Sequence, residues 1–167
     1  MHEFTRNSPV LLFVFALLTF AFSVSGAEPE DFHALDQQIN KLLQQRKYKE
    51  AIPIAEKAVE AAKRIRGPEH PDTATKLNLL GRLYQEVGAY AKAEPLLEEA
   101  LQIFRKVLGN QHPNTATSLN NLAELCQAMG DYAKAEPLLQ EALQIRRKVL
   151  GDQHPSTATS LNNLAEL

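Results

Sequence analysis

The chain has 167 residues, 44% of them apolar, with 18 basic and 20 acidic side chains and a single cysteine. That near-neutral balance excludes a nucleic-acid binder working by phosphate neutralisation, and one cysteine excludes a disulfide framework and any cysteine-built zinc or iron–sulfur site. Aromatic residues make up only 7%, there is no Trp, and Phe4, Phe13, Phe15, Phe20 and Phe22 crowd the N-terminus, so everything downstream must build its core from Leu and Ala.

Residues 10–22 read VLLFVFALLTFAF, an uncharged run of thirteen. At ~1.5 Å rise per residue this helix falls short of a ~30 Å hydrocarbon core. Arg6 stands upstream, and Ser25, Gly26 and Ala27 supply small residues downstream. This pattern predicts a secretory signal peptide over residues 1–27, cut after Ala27, with a cut after Gly26 as the alternative. The expected product is periplasmic or secreted and meets a membrane only during export; an uncleaved N-terminal anchor is the competing reading.

From here the chain repeats. Residues 88–125 and 130–167 align at an offset of 42, and only Ala89/Asp131, Glu98/Gln140, Phe104/Arg146, Asn110/Asp152 and Asn114/Ser156 differ. A more diverged copy begins at Arg46 and keeps Tyr48, Ala51, Pro53, Ala58, Gly67, His70, Pro71, Thr73, Ala74, Thr75, Leu77 and Asn78 in register. Periodicity divides each unit into two helices. The first follows a His-Pro dipeptide: residues 72–87, 114–129 and 156 onward, with Asp72, Asn114 and Ser156 as the expected N-caps. Gly88 and Gly130 stop it. The second runs over residues 90–108 and 132–150, with an apolar stripe of Ala93, Leu96, Leu97, Ala100, Leu101, Ile103 and Leu108. Gly109 and Gly151 end it, and Pro95 and Pro137 are expected to bend it near its start. Residues 31–45 supply the first helix of an opening unit, through Leu35, Ile39 and Leu42. The sum is four first helices and three second helices.

These residues resemble the tetratricopeptide repeat, in its 42-residue kinesin-light-chain-like variety. Leu119, Leu122, Ala123, Gly130, Tyr132, Ala135, Leu139 and Ala142 fall on the family's large–small pattern, as do Leu77, Leu80, Gly81, Tyr84, Gly88, Tyr90, Ala93, Leu97 and Ala100. Leu119 departs from the usual Trp, and Cys126 stands where Tyr84 sits one unit earlier. The resemblance implies an all-α fold: a right-handed solenoid of stacked antiparallel helix pairs, first helices lining a concave face. The division is then residues 28–73 for a degenerate opening pair and its loop, and 74–167 for the array (units 74–107 and 116–149, partial unit 158–167). The array opens at Leu161 and Leu164 with no second helix over them. We read this as a fragment of a longer frame, with cover by a partner copy as the alternative.

Nothing in the sequence points to an enzyme, a cofactor or a metal. His70, His112 and His154 recur every 42 residues, and packed helices lie about 8–10 Å apart, too far for equivalent imidazoles to share an ion. They read as loop-and-cap residues ahead of Pro. Cys126 sits on an apolar stripe and reads as a small buried hydrophobe. The residues that the family pattern assigns to the concave face are Thr75, Asn78, Arg82, Gln85 and Glu86; then Thr117, Asn120, Glu124 and Gln127; then Thr159, Asn162 and Glu166. Asn78, Asn120 and Asn162 form a ladder whose amides could pair with the main chain of an extended peptide, or could simply be polar residues on a solvated face. The expected function is an exported protein–protein interaction scaffold holding a peptide or protein in that groove. Two alternatives stand beside it: an N-terminal regulatory or assembly arm of a larger protein, and a module that homo-oligomerises through its open C-terminal face.

Overall fold

The computed structural model of the chain describes residues 32–167, and the segment expected to be a signal peptide, residues 1–27, lies outside them. Seven helices and no strands are present among the described residues: α1 (Phe32–Gln44), α2 (Tyr48–Ile65), α3 (Pro71–Glu86), α4 (Tyr90–Leu108), α5 (Pro113–Ala128), α6 (Tyr132–Leu150) and α7 (Pro155–Ala165). Each packs on the helices next to it in sequence, with a further contact between α3 and α5. The result is a solenoid in which α1, α3, α5 and α7 are first helices and α2, α4 and α6 second helices.

Of the second helices, α4 and α6 begin and end at the expected residues. The first helices start earlier than expected, because their N-caps are His70, His112 and His154, and not Asp72, Asn114 and Ser156. Proline takes the first helical position, where its missing N–H costs nothing. The backbone N–H one residue further on, at Asp72, Asn114 or Ser156, then donates to the imidazole Nδ1 at 3.1 Å. A second bond closes the corner. The hydroxyls of Thr73, Thr115 and Thr157, all fully buried, donate to the carbonyls of Gly67, Gly109 and Gly151 at 2.7–2.8 Å. The string Gly-x-x-His-Pro-x-Thr is therefore a self-contained turn.

The other corner is a Schellman cap. Gly88 and Gly130 take φ of 76° and 79°, a left-handed geometry that a Cβ disfavours. The N–H of Ala89 donates to the Tyr84 carbonyl, and that of Asp131 to the Cys126 carbonyl, both at 2.8 Å. Both α4 and α6 continue through their internal prolines, Pro95 and Pro137.

Small residues set the spacing between helices. A Cβ on Gly81 would sit 2.7 Å from the side chain of Leu97, so α3 and α4 meet there without room for one. At the equivalent place one unit on, Ala123 packs with Cys126, Ala135 and Leu139. The stripe foreseen on α4 is buried at Ala93, Leu97, Ala100, Leu101 and Ile103 and half-buried at Leu96 and Leu108; Phe104, outside that stripe, is buried as well. Ion pairs tie successive second helices on the outside: Lys63 to Glu99 at 3.0 Å, Arg105 to Glu141 at 2.6 Å, and Lys134 to Glu94 and Glu98 at 2.6 and 3.3 Å. Lys134 is held protonated well above the ordinary lysine range, chiefly by its hydrogen bond to Glu94. These pairs are a third or more exposed, where each contributes little singly.

Candidate functional site

Between first helices α3 and α5 lies a hollow of about 280 Å³, lined by Thr75, Asn78, Leu79, Arg82, Phe104, Asn114, Thr117 and Asn121. Four of the residues assigned to the concave face from sequence, Thr75, Asn78, Arg82 and Thr117, meet here. Helical spacing explains it: positions 75, 78, 79 and 82 share one side of α3. Thr75 and Thr117 are exposed, and each hydroxyl donates to the carbonyl four residues back, Pro71 at 3.0 Å and Pro113 at 3.1 Å. Arg82 is exposed at the rim. Leu79 and Phe104 supply apolar wall. The hollow thus offers hydrogen-bonding groups, apolar surface and one guanidinium.

The amides of the asparagine ladder are engaged in the seams, that of Asn78 at the wall of the hollow included. Asn78 and Asn120 are buried, 8% and 5% exposed, in the seams between first helices. Asn78 Oδ1 accepts from the Ser118 hydroxyl at 3.2 Å. Asn120 donates to Glu124 at 2.5 Å and accepts from Asn163 Nδ2 at 3.0 Å, and Asn163 also donates to Glu124 at 3.1 Å. Their amides join helices, as buried polar groups must find partners. Asn162, with no first helix beyond it among the described residues, is exposed, as are Thr159 and Glu166. Gln85 is half-buried, Glu86 is exposed, and Gln127 Nε2 donates to the Asn163 carbonyl at 3.3 Å.

Sequence reasoning passed over four residues of this hollow: Asn114, expected only as a cap, and three more. Leu79, Phe104 and Asn121 line the hollow, and one unit later their positions hold Asn121, Arg146 and Asn163. Arg146 is 7% exposed and donates to the Ser156 carbonyl at 3.0 Å and the Ser160 hydroxyl at 2.6 Å. Burial pulls its guanidinium below the usual arginine range, against the charge of Glu124. Ser118, whose unit has Phe104 in that place, bonds Asn78; Ser160 bonds Arg146, and Asn120 pairs with Asn163. The signal was present in the sequence, since Phe104/Arg146 is one of five differences between otherwise identical units. Cys126 is fully buried, and burial pushes its thiol pKa up.

Stacked helix pairs with small residues at the crossings and a lined first-helix face define a helical-repeat solenoid. The tetratricopeptide repeat family model matches residues 40–106, 72–148 and 115–167, so the chain belongs to that family. No curated protein sequence matches it. Among solved structures it is similar to a Podosopora anserina kinesin light chain protein of nearly identical TPR-like repeats, with 29% identity and TM-score 0.76, over 84% of this chain and 66% of that one. It is similar in fold to BtubC (BKLC) from P. vanneervenii, with 22% identity and TM-score 0.75, over 94% of this chain and 63% of that one. The N-terminal domain of stress-induced protein-1 (STI-1) from C. elegans shares the fold at 18% identity and TM-score 0.57, over 84% of this chain and 99% of that one. The chain thus spans just under two thirds of the kinesin-light-chain-like structures named first. Tetratricopeptide repeats generally mediate the binding of protein partners.

Proposed function

We propose that the chain is an exported, non-enzymatic scaffold that holds an extended peptide segment of a partner protein against its first-helix face. The observation that carries this reading is the hollow between α3 and α5, where Leu79 and Phe104 form apolar wall, Arg82 stands at the rim and Thr75 and Thr117 flank it. The buried asparagines contribute by fixing the walls of the groove. Export rests on residues 1–27 of the sequence and their small-residue cleavage pattern.

Exposed residues make the cleanest test, because changing them leaves the seams intact. Affinity capture with the chain and with its Arg82→Glu/Thr117→Tyr variant should recover partners with the first and lose them with the second, at matched circular dichroism. Equal recovery removes the hollow from the mechanism. Export is read separately, by N-terminal sequencing of the protein found outside the cytoplasm: Glu28 as the first residue supports the cut after Ala27, and an intact Met1 overturns it.

A further inference from the structure

One buried position changes its chemistry in every unit. Ala62, Phe104 and Arg146 stand at the same offset in α2, α4 and α6, and all three are buried. Their helical neighbours vary less: Ala58, Ala100 and Ala142 match, as do Ile103 and Ile145. By the offset of 42 each belongs to one junction between first helices: α1 with α3, α3 with α5, and α5 with α7. We propose that this residue sets which junction accepts a ligand, and that among the three only Phe104 opens one. The array then takes an apolar side chain of its partner peptide at a single place, between α3 and α5. This rests on the peptide reading above and adds to it the class of side chain and the residue that selects the place.

Two of the junctions are occupied by the chain's own polar groups. Between α1 and α3 a hollow of about 260 Å³ is lined by Asp36, Arg66, Asp72 and Lys76 beside Thr75. Those charges satisfy one another: Lys76 reaches Asp36 at 2.5 Å and Arg66 reaches Asp72 at 3.5 Å. Between α5 and α7 the side chain of Arg146 crosses to the next first helix, where it donates to the Ser156 carbonyl and the Ser160 hydroxyl. Glu124, where the preceding unit has Arg82, accepts from Asn120 and Asn163. A group entering there would have to break hydrogen bonds made by charged groups, which are the strong ones.

Between α3 and α5 the case is different. Phe104 has no polar atom with which to bridge the helices, so it ends as wall beside Leu79, around a hollow of about 280 Å³. The polar walls are already engaged: Thr75 and Thr117 donate to Pro71 and Pro113, and Asn78 accepts from Ser118. What the hollow has left to offer inside is apolar contact, which favours an apolar side chain. The divergence between the two near-identical units points to the same place. Of their five differences, Phe104/Arg146 and Asn114/Ser156 both fall at these junctions. Phe104 and Asn114 line the open hollow, and Arg146 bonds the Ser156 carbonyl in the closed seam.

The probe is a phage-displayed library of random peptides panned on the full chain; a recovered peptide is then labelled with fluorescein and titrated by anisotropy. Phe104→Arg/Asn114→Ser, which writes the closed seam's residues into the open one, should weaken binding about tenfold or more. Leu79→Asn, a change at a half-buried position to the residue the next unit carries, should do the same with circular dichroism and urea midpoint retained. Truncating the peptide's apolar residues to Ala in turn should find one that matters on the wild type and not on Phe104→Arg/Asn114→Ser. General loosening of the fold does not give that coupling. Arg146→Phe should leave the affinity within about twofold. Equal affinity for Phe104→Arg/Asn114→Ser and Leu79→Asn, with loss for Arg82→Glu/Thr117→Tyr, overturns the inference and leaves the peptide reading standing. Recovery of no saturably binding peptide overturns both. A loss of about tenfold with Arg146→Phe overturns the inference too, by placing the peptide between α5 and α7.

Discussion

Leu119 and Leu161 stand at the same place in the same eleven-residue string, one fully buried and the other 39% exposed. Both strings form helix behind the same His-Pro cap, through Leu125 in α5 and as far as Ala165 in α7, so the helix start is fixed within the string. Burial is fixed by what lies alongside: α6 covers α5, and no described helix covers α7 in that way. In a solenoid the core belongs to the junction between neighbours and not to any one repeat.

The strongest way to sharpen this contrast is to truncate the paired leucines. Leu119→Ala should cost about 2–5 kcal/mol, because it leaves a cavity in the packed core. Leu161→Ala should cost no more than about 0.5 kcal/mol, as for ordinary surface changes. Urea unfolding of the two variants measures both, and equal losses would break the comparison. Overpacking should follow the same divide. Ala123→Leu intrudes where Leu139 already sits and should cost about 1–3 kcal/mol, while Ala165→Leu has open space and should be near neutral. Thermal melts of the pair check this.

Polar groups should show a smaller difference. Asn120→Ala removes the acceptor for Asn163 and a donor to Glu124 in the seam, an expected loss of about 1 kcal/mol. Asn162→Ala, at the exposed equivalent, should change nothing measurable. The smallest effect concerns pH. Burial of Cys126 raises its thiol pKa in the folded chain above the unfolded value, so the native state holds that proton more tightly. The associated stability is present below about pH 8.5 and is lost as pH rises through the folded value. Between about pH 7.5 and pH 9.5 the urea midpoint should therefore fall further for the wild type than for Cys126→Ala. Parallel declines would show that the thiol contributes nothing.

The helices α4 and α6 were legible at both ends because Tyr90 and Tyr132 open them and glycines close them, with regular Ala and Leu between. The first helices were legible in place but not in their starts. Side-chain type favours Asp, Asn and Ser as caps, and the proline ahead of them moves the cap back to a histidine. The groove was legible in part. Helical spacing put Thr75, Asn78 and Arg82 on one side of α3, but it does not say which residue of a polar pair faces the hollow and which the seam. Asn120 and Asn121 are adjacent, and the crossing of neighbouring helices decides which of them lines the hollow. That crossing is set by long-range packing, by Gly81 against Leu97 and by Phe104 or Arg146 at the seam.

The Gly-x-x-His-Pro-x-Thr corner has an evolutionary consequence. Its cap and its threonine bond lie within seven residues, from Gly67 to Thr73, from Gly109 to Thr115 and from Gly151 to Thr157. No distant residue completes either bond. A 42-residue block copied in frame therefore arrives with its own bend already made and needs no compensating change elsewhere. Lengthening such an array by duplication is a single genetic step, and the near-identity of residues 88–125 and 130–167 is the sequence that such a step leaves behind.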